Sequence, residues 1–170
     1  MDRRVKKSYA TAIKPRTGYS LEQKIVQLRR IPLPSRVVFT NGCFDILHPG
    51  HVKIIQYAAA LAGPYGALVV GVNSDSSVRR YKGSDRPFVP IDERCFMIEN
   101  IATNPVKYLV TIPFSEDTPL NLILAVEPDI IVKGGDYKPE DVVGHEYASI
   151  AIFPTVEGFS STAIRGRINA

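Results

Sequence analysis

From Arg36 onward the chain alternates between short runs of consecutive apolar residues, often β-branched, and longer stretches with helical spacing. The apolar runs are Val37–Thr40, Ala67–Val72, Tyr108–Ile112, Ile130–Val132 and Ile150–Phe153. Runs that are apolar on both faces suit strands of a parallel sheet covered by helices, since a strand with one wet face would alternate apolar with polar residues. Residues 50–62, 91–102, 118–126 and 160–168 read as the helices between and after them. This alternation predicts an α/β fold: a doubly wound, Rossmann-like parallel sheet of about five strands with helices on both faces. Ligands of such sheets bind beyond the carboxyl ends of the strands. The loops that matter are therefore Asn41–Gly50, Asn73–Pro90, Lys133–Gly144 and Thr155–Thr162.

The first 34 residues do not share this pattern. Residues 1–19 are polar and basic, and a short helix is expected next. Ser20 can cap it, with Gln23 in capping-box position, and Leu21, Ile25 and Leu28 share a face before Pro32 and Pro34 end it. The chain thus divides into a basic tail with a short helix (1–34) and one domain (35–170), with no internal repeat. Residues 1–19 carry Arg3, Arg4, Lys6, Lys7, Lys14 and Arg16 against Asp2, which leaves 15 basic and 16 acidic residues elsewhere. The pI of 9.1 therefore belongs to the tail and does not predict a nucleic-acid-binding face. No apolar run approaches the ~20 residues of a membrane span, and none near Met1 reads as a secretory h-region. Cys43 and Cys95 stand apart, with no metal-ligand spacing and no disulfide framework. Together these features predict a cytoplasmic protein with neither membrane nor nucleic-acid partners.

The strongest chemical signal is Asn41-Gly42-Cys43-Phe44-Asp45-Ile46-Leu47-His48-Pro49-Gly50-His51, which leaves the first strand and opens the first helix. A helix start presents unpaired N–H groups and the positive end of a dipole, and so suits phosphate. Gly50 lets phosphate oxygens approach the backbone closely. Two of the three histidines, His48 and His51, are three apart and can face one ligand together.

His48-Pro49-Gly50-His51 resembles the H-x-G-H signature of the cytidylyltransferase-like nucleotidylyltransferases, which join an NTP to a phosphorylated or acidic acceptor and release pyrophosphate. Glu157-Gly158-Phe159-Ser160-Ser161-Thr162-Ala163-Ile164-Arg165 is similar to the family's second signature. Asn73-Ser74-Asp75, Arg79 to Gly83, Arg86-Pro87, Glu116 to Pro119 and Val132 to Tyr137 are similar to segments of D-glycero-β-D-manno-heptose 1-phosphate adenylyltransferases. The stretch Gly144–Ile150 is shorter than in those enzymes, and Ala163 stands where they often have Asn.

This resemblance implies ATP as donor, a sugar 1-phosphate as acceptor and a homodimer. Mg²⁺ is expected to arrive with the NTP, because no carboxylate cluster in the sequence forms a cage for it. The resemblance makes His48, His51 and Lys82 catalytic, with Lys82 on the triphosphate. It assigns nucleotide binding to Asn41, Gly42, Cys43, Phe44, Gly50, Arg94, Lys133, Gly135, Asp136, Ser160, Ser161 and Thr162. It assigns acceptor binding to Asp45, Asn73, Asp75 and Arg80.

Several of these residues have a plainer reading. Arg80 and Lys82 could be solvated loop charges, and Arg94 could pair with Asp92 or Glu93. Asp45 could be a turn residue, Asp75 a helix cap and Gly134-Gly135-Asp136 a simple turn. His145 has no visible partner and reads as incidental. The proposed chemistry suits the residue types. A phosphate monoester, with its second pKa about 6, is largely a dianion at pH 7. Its attack on an α-phosphorus needs positive charge, N–H donors and alignment more than a strong base. A cytidylyltransferase acting on glycerol 3-phosphate or a related polyol phosphate, and a non-catalytic nucleotide sensor, are the competing readings.

Overall fold

A computed structural model describes residues 36–135 and 137–168. The basic segment and short helix expected over 1–34, and Asp136, lie outside the described residues.

The five strands are β1 (Val37–Gly42), β2 (Ala67–Asn73), β3 (Tyr108–Phe114), β4 (Ile130–Gly134) and β5 (Ser149–Phe153). They form one sheet in the order β3-β2-β1-β4-β5, with every neighbouring pair parallel. The helices are α1 (Pro49–Ala62), α2 (Asp75–Lys82), α3 (Ile91–Glu99), α4 (Leu120–Val126) and α5 (Ser161–Ile168). A 3₁₀ turn, Pro139–Asp141, precedes β5.

Because side chains alternate along a strand, the apolar runs feed two cores at once. Val38, Leu68, Val70, Val72 and Val132 pack with Ile55, Ala58 and Ala59 of α1 and with Cys95 and Ile98 of α3. Phe39, Val69 and Ile131 point the other way, against Leu122 and Ile123 of α4. Both faces are thus covered, which is why the runs read as continuously apolar.

The sheet winds outward from β1 in both directions, so the chain reverses sense between β1 and β4. That junction is the topological switch point, where ligands of such sheets bind. β1 and β4 pair over three residues, Val38–Thr40 with Ile130–Val132, whereas β1 pairs with β2 over six.

Several elements differ from the periodicity. β3 runs through Pro113 to Phe114 instead of stopping at Ile112. It is an edge strand paired only to β2, so a residue without an N–H breaks no ladder. The helix expected over 91–102 ends at Glu99. α2 lies inside the expected loop Asn73–Pro90. It buries only Ser77 and Val78 and so shows no apolar stripe to read. Its start is set by Ser74, whose Oγ accepts the Ser77 N–H at 3.2 Å, and its end by Gly83 at φ 97°.

Candidate active site

The turn from β1 into α1 is built around two residues that face inward. Phe44 takes a left-handed backbone, φ 49°. Its ring covers Gly42, where a Cβ would come within 3.2 Å, and meets His51 edge-on at 5.2 Å. Asp45 is 1% exposed. Its carboxylate accepts from Arg86 Nη1 at 2.6 Å and from the N–H groups of Phe88 and Val89 at 2.7 and 3.0 Å. Burial alone would raise its pKa, but Arg86 and the two N–H donors outweigh burial and hold it below the usual carboxylate value. Asp45, expected to bind the acceptor, has its partners within the protein in the structure. Its oxygens are taken up in tying the 86–89 loop to this turn.

His48 precedes α1 in an extended conformation and makes no side-chain capping bond; Pro49 follows at the first helical position. The rings of His48 and His51 stack, centroids 3.7 Å apart and 23° from parallel. Gly50 makes room for this, since a Cβ there would lie 3.0 Å from two atoms of the His48 ring. The first turn of α1 carries no acidic residue, so its N–H groups and dipole are not neutralised from within the helix. Burial lowers the pKa of both imidazoles, and the Lys82 charge adds to this. For His51, the neighbouring His48 contributes as well, a backbone contact with Ile46 opposes, and the result is about 4. Both rings are therefore neutral at pH 7, each with one N–H to donate. The Nδ1 atoms of both are buried without a hydrogen-bond partner.

The pair borders a depression of about 230 Å³ shared with Ile54, Gly135, Thr155 and Phe159. α5 comes close to it. Ser161 Oγ donates to the Ile46 carbonyl at 3.4 Å, although 115 residues separate them. Ser160 Oγ accepts from the Ala163 N–H at 3.0 Å and caps α5. Thr162 is exposed on the same turn, and Arg165 pairs with Asp85 at 3.0 Å. The two signature segments thus meet in space.

A second depression, about 400 Å³, is lined by Asn41, Cys43, Asn73, Lys82, Lys133 and Tyr137, among others. Lys82 is the last residue of α2. Lys133 Nζ donates to Asn41 Oδ1 at 3.3 Å and lies 5.5 Å from the centre of the Tyr137 ring. Burial lowers the Lys133 pKa, with Cys43 acting in the opposite direction. Asn73 Nδ2 donates to Ser77 Oγ at 3.1 Å, and the Cys43 thiol lies 3.9 Å from Asn73 Oδ1. Asn41, Gly42, Cys43 and Lys133, expected beside the nucleotide, therefore line the same depression as Asn73 and Lys82. Gly135 lies in the depression of the histidines. Asp136 is outside the described residues.

Three other expected site residues also have partners within the protein. Arg94 is 0% exposed and pairs with neither Asp92 nor Glu93. It donates to Asp75 at 2.7 Å, to the Val89 carbonyl at 2.9 Å and to the Cys43 carbonyl, which leaves little of the group for a phosphate. Asp75 is not the cap of α2, which is Ser74, and one of its oxygens accepts from Arg94. Arg80 pairs with Asp117 at 2.9 Å and donates to the Ser115 carbonyl.

Sequence reasoning passed over Arg86, Tyr81 and Asp117. The last two line the larger depression, and the Tyr81 hydroxyl donates to the Asp117 carbonyl. Arg86-Pro87 and Glu116 to Pro119 belong to segments the resemblance singled out, and that was their only signal. Among the described residues, no group of three His, Cys, Asp or Glu side chains could hold a metal, and no helix is long and apolar enough to cross a membrane.

With this geometry the chain belongs to the cytidylyltransferase-like family of nucleotidylyltransferases, whose model matches residues 39–167. Within it, the chain is 51% identical over 136 residues to the bifunctional protein HldE of a Nitratiruptor species, covering 79% of this chain and 28% of that protein. It is 52% identical over 134 residues to HldE of Bradyrhizobium diazoefficiens, covering 76% and 26% respectively. The chain thus spans little more than a quarter of these relatives. The crystal structure of the lipopolysaccharide core biosynthesis protein from Thermoplasma volcanium shares the fold. Its TM-score is 0.54 at 24% identity, over 71% of this chain and 96% of that one.

Proposed function

We propose that this chain transfers AMP from ATP to a sugar 1-phosphate, D-glycero-β-D-manno-heptose 1-phosphate, giving the ADP-sugar and pyrophosphate. The observation that carries the reading is the stacked, neutral His48–His51 pair at the start of α1. Its Nδ1 atoms lack partners, and Ser161 and Gly135 stand close by.

In this reading an acceptor phosphate oxygen attacks the α-phosphorus. The bond to the bridging oxygen breaks, and the electron pair leaves with pyrophosphate. No strong base is needed, because the acceptor is largely a dianion at pH 7. The imidazole N–H groups and the first turn of α1 donate to the non-bridging and bridging oxygens as charge grows on them. Lys82, at the end of α2, offsets the repulsion between two polyanions. The larger depression takes the acceptor beside Asn73, with Lys133, assigned to the nucleotide, also on its wall. Mg²⁺ travels on the ATP phosphates, as such ions commonly do, and supplies further charge neutralisation when bound. The heptose acceptor and the ATP donor are supported by the five segments shared with heptose 1-phosphate adenylyltransferases and by the identity to proteins named HldE. We assign the reaction to the cytoplasm and to a homodimer, with neither membrane nor nucleic acid as partner.

The test is a pyrophosphate-release screen crossing the four NTPs with sugar and polyol phosphates. Release with ATP and the heptose 1-phosphate, abolished by excess EDTA, is the expected result. Preference for CTP with glycerol 3-phosphate would replace both substrates within the same chemistry. Tight ATP binding with no turnover on any acceptor would make the chain a sensor.

A further inference from the structure

The guanidinium of Arg94 lies where three separate stretches of the chain meet. It projects from α3, no residue of which lines either depression. Nη2 donates to Asp75 in the first turn of α2, Nε to the Val89 carbonyl, and Nη1 to the Cys43 carbonyl. Asp75 begins the helix that ends in Lys82, and Cys43 begins the turn that ends in His48. A guanidinium is a rigid fork of five donors that stays charged. Completely buried, it holds its acceptors firmly, because losing any of them strands a charge. A buried ion pair of this sort is poor evidence for stability, since apolar residues of similar volume often serve as well. Its distinctive effect is geometric.

We infer that Arg94 is a positioning residue for the transfer reaction: through Asp75 and the Cys43 carbonyl it sets the separation between Lys82 and the His48–His51 pair. The inference rests on the reaction proposed above. The far end of α2 is tied separately, by Arg80 and Tyr81 to residues 115–117, and that tie is exposed. Among the described residues, the Arg94 clamp ties the start of α2 to the turn that carries the histidines, and a weaker link runs beside it from Ser77 through Asn73 to the Cys43 thiol.

The experiment compares Asp75→Asn and Arg94→Lys with the unaltered chain. Asn keeps the shape and one acceptor oxygen, so that variant is the milder of the two, and thermal unfolding checks that it is folded. Lys keeps the charge but cannot reach three acceptors at once. Two readouts are taken beside thermal unfolding. The first is kcat and KM for ATP and for the acceptor. The second is NMR titration of the two imidazoles. Burial and Lys82 hold the protonation of both rings down, and His48 adds to this for His51, so withdrawal of Lys82 raises the titration midpoint while burial persists.

Both variants are expected to lose kcat by on the order of tenfold to a hundredfold, the scale of a ~1 Å misplacement. KM for ATP should change less, and the His51 midpoint should rise from about 4. A folded Asp75→Asn protein with unaltered kcat and imidazole titration would overturn the inference. So would a loss of kcat with the titration unmoved. A rise confined to acceptor KM would make Asp75 an acceptor contact instead. Should Arg94→Lys not fold, Asp75→Asn decides alone. If the unaltered chain turns over no substrate pair, the proposed reaction fails, while the imidazole titration still tests the clamp.

Discussion

Asp45 and His48 stand three residues apart in one turn, yet their polar atoms are in opposite conditions. The carboxylate of Asp45 has an arginine and two backbone N–H groups as partners and is sealed from solvent. His48 and, one helical turn on, His51 each keep a buried nitrogen with none. A folded chain rarely leaves buried polar atoms unpaired, and where it does a ligand or a catalytic role is the usual reason. The contrast separates scaffold from site within a single turn. Saturated groups fix where the turn lies, and the histidine rings border the depression beside it.

The largest effect expected from this contrast is on stability. Asp45→Ala strands the Arg86 guanidinium, whose side chain is 8% exposed. Urea unfolding should show a loss of about 3–5 kcal/mol, the range for breaking a buried pair from one side. A loss under about 1 kcal/mol would make Asp45 a poor anchor and erase the distinction.

Next come the histidines, where the pattern inverts. His48→Ala and His51→Ala should each lower kcat by about a hundredfold or more, the usual loss for one preorganised donor. Their unfolding free energies should move by no more than about 1 kcal/mol. Single-turnover kinetics beside calorimetric ATP binding distinguishes transition-state contacts from ground-state ones, because only the former lower kcat at saturation.

Acid sensitivity sharpens the comparison further. The folded His51 pKa is about 4, below the ordinary 6.5. Between those values the unfolded chain binds the extra proton, so stability falls as pH drops through that window. The folded Asp45 pKa is also lowered, but from the ordinary carboxylate value. Its contribution is complete above about pH 4 and is lost as pH falls further, through its folded value. Urea titrations at a series of pH values should show the first loss disappear in His51→Ala and the second in Asp45→Asn. The smallest effect belongs to Arg80→Ala. Its pair with Asp117 is 48% and 74% exposed, so unfolding should shift by no more than about 1 kcal/mol.

The sheet was legible because a strand buried on both faces is apolar without interruption, and Val37–Thr40 and Ala67–Val72 are of that kind. Pro113 misled because the reading did not include β3's place at an edge. α2 was missed as an element because it presents almost nothing to the core. At the site, His48, Gly50 and His51 could be picked out from spacing, since neighbours on a helix start must meet. Arg94, Asp45, Asp75 and Arg80 look like ligand contacts in the sequence because, the Val89 carbonyl on Arg94 apart, their partners lie 19 to 51 positions away. No local pattern encodes such a distance. A charged residue in a segment shared with enzymes looks the same whether it grips a phosphate or a neighbouring carbonyl.

The three-residue ladder between β1 and β4 is the shortest in the sheet, against six for β1–β2, seven for β2–β3 and five for β4–β5. It is also the line along which the two signature turns face each other: Asn41–His51 leaves β1, while Gly135 and Ser160–Thr162 follow β4 and β5. Opening there would part the two halves of the site, and it would also disturb both cores, since Val132 and Ile131 of β4 pack across this line with Val38 and Phe39 of β1. A nucleotide touching both turns would act as a stitch across this seam, and binding to the closed form would oppose such opening by mass action. Slower amide hydrogen exchange would then appear at Val38–Thr40 and Ile130–Val132 before it appeared in the outer strands.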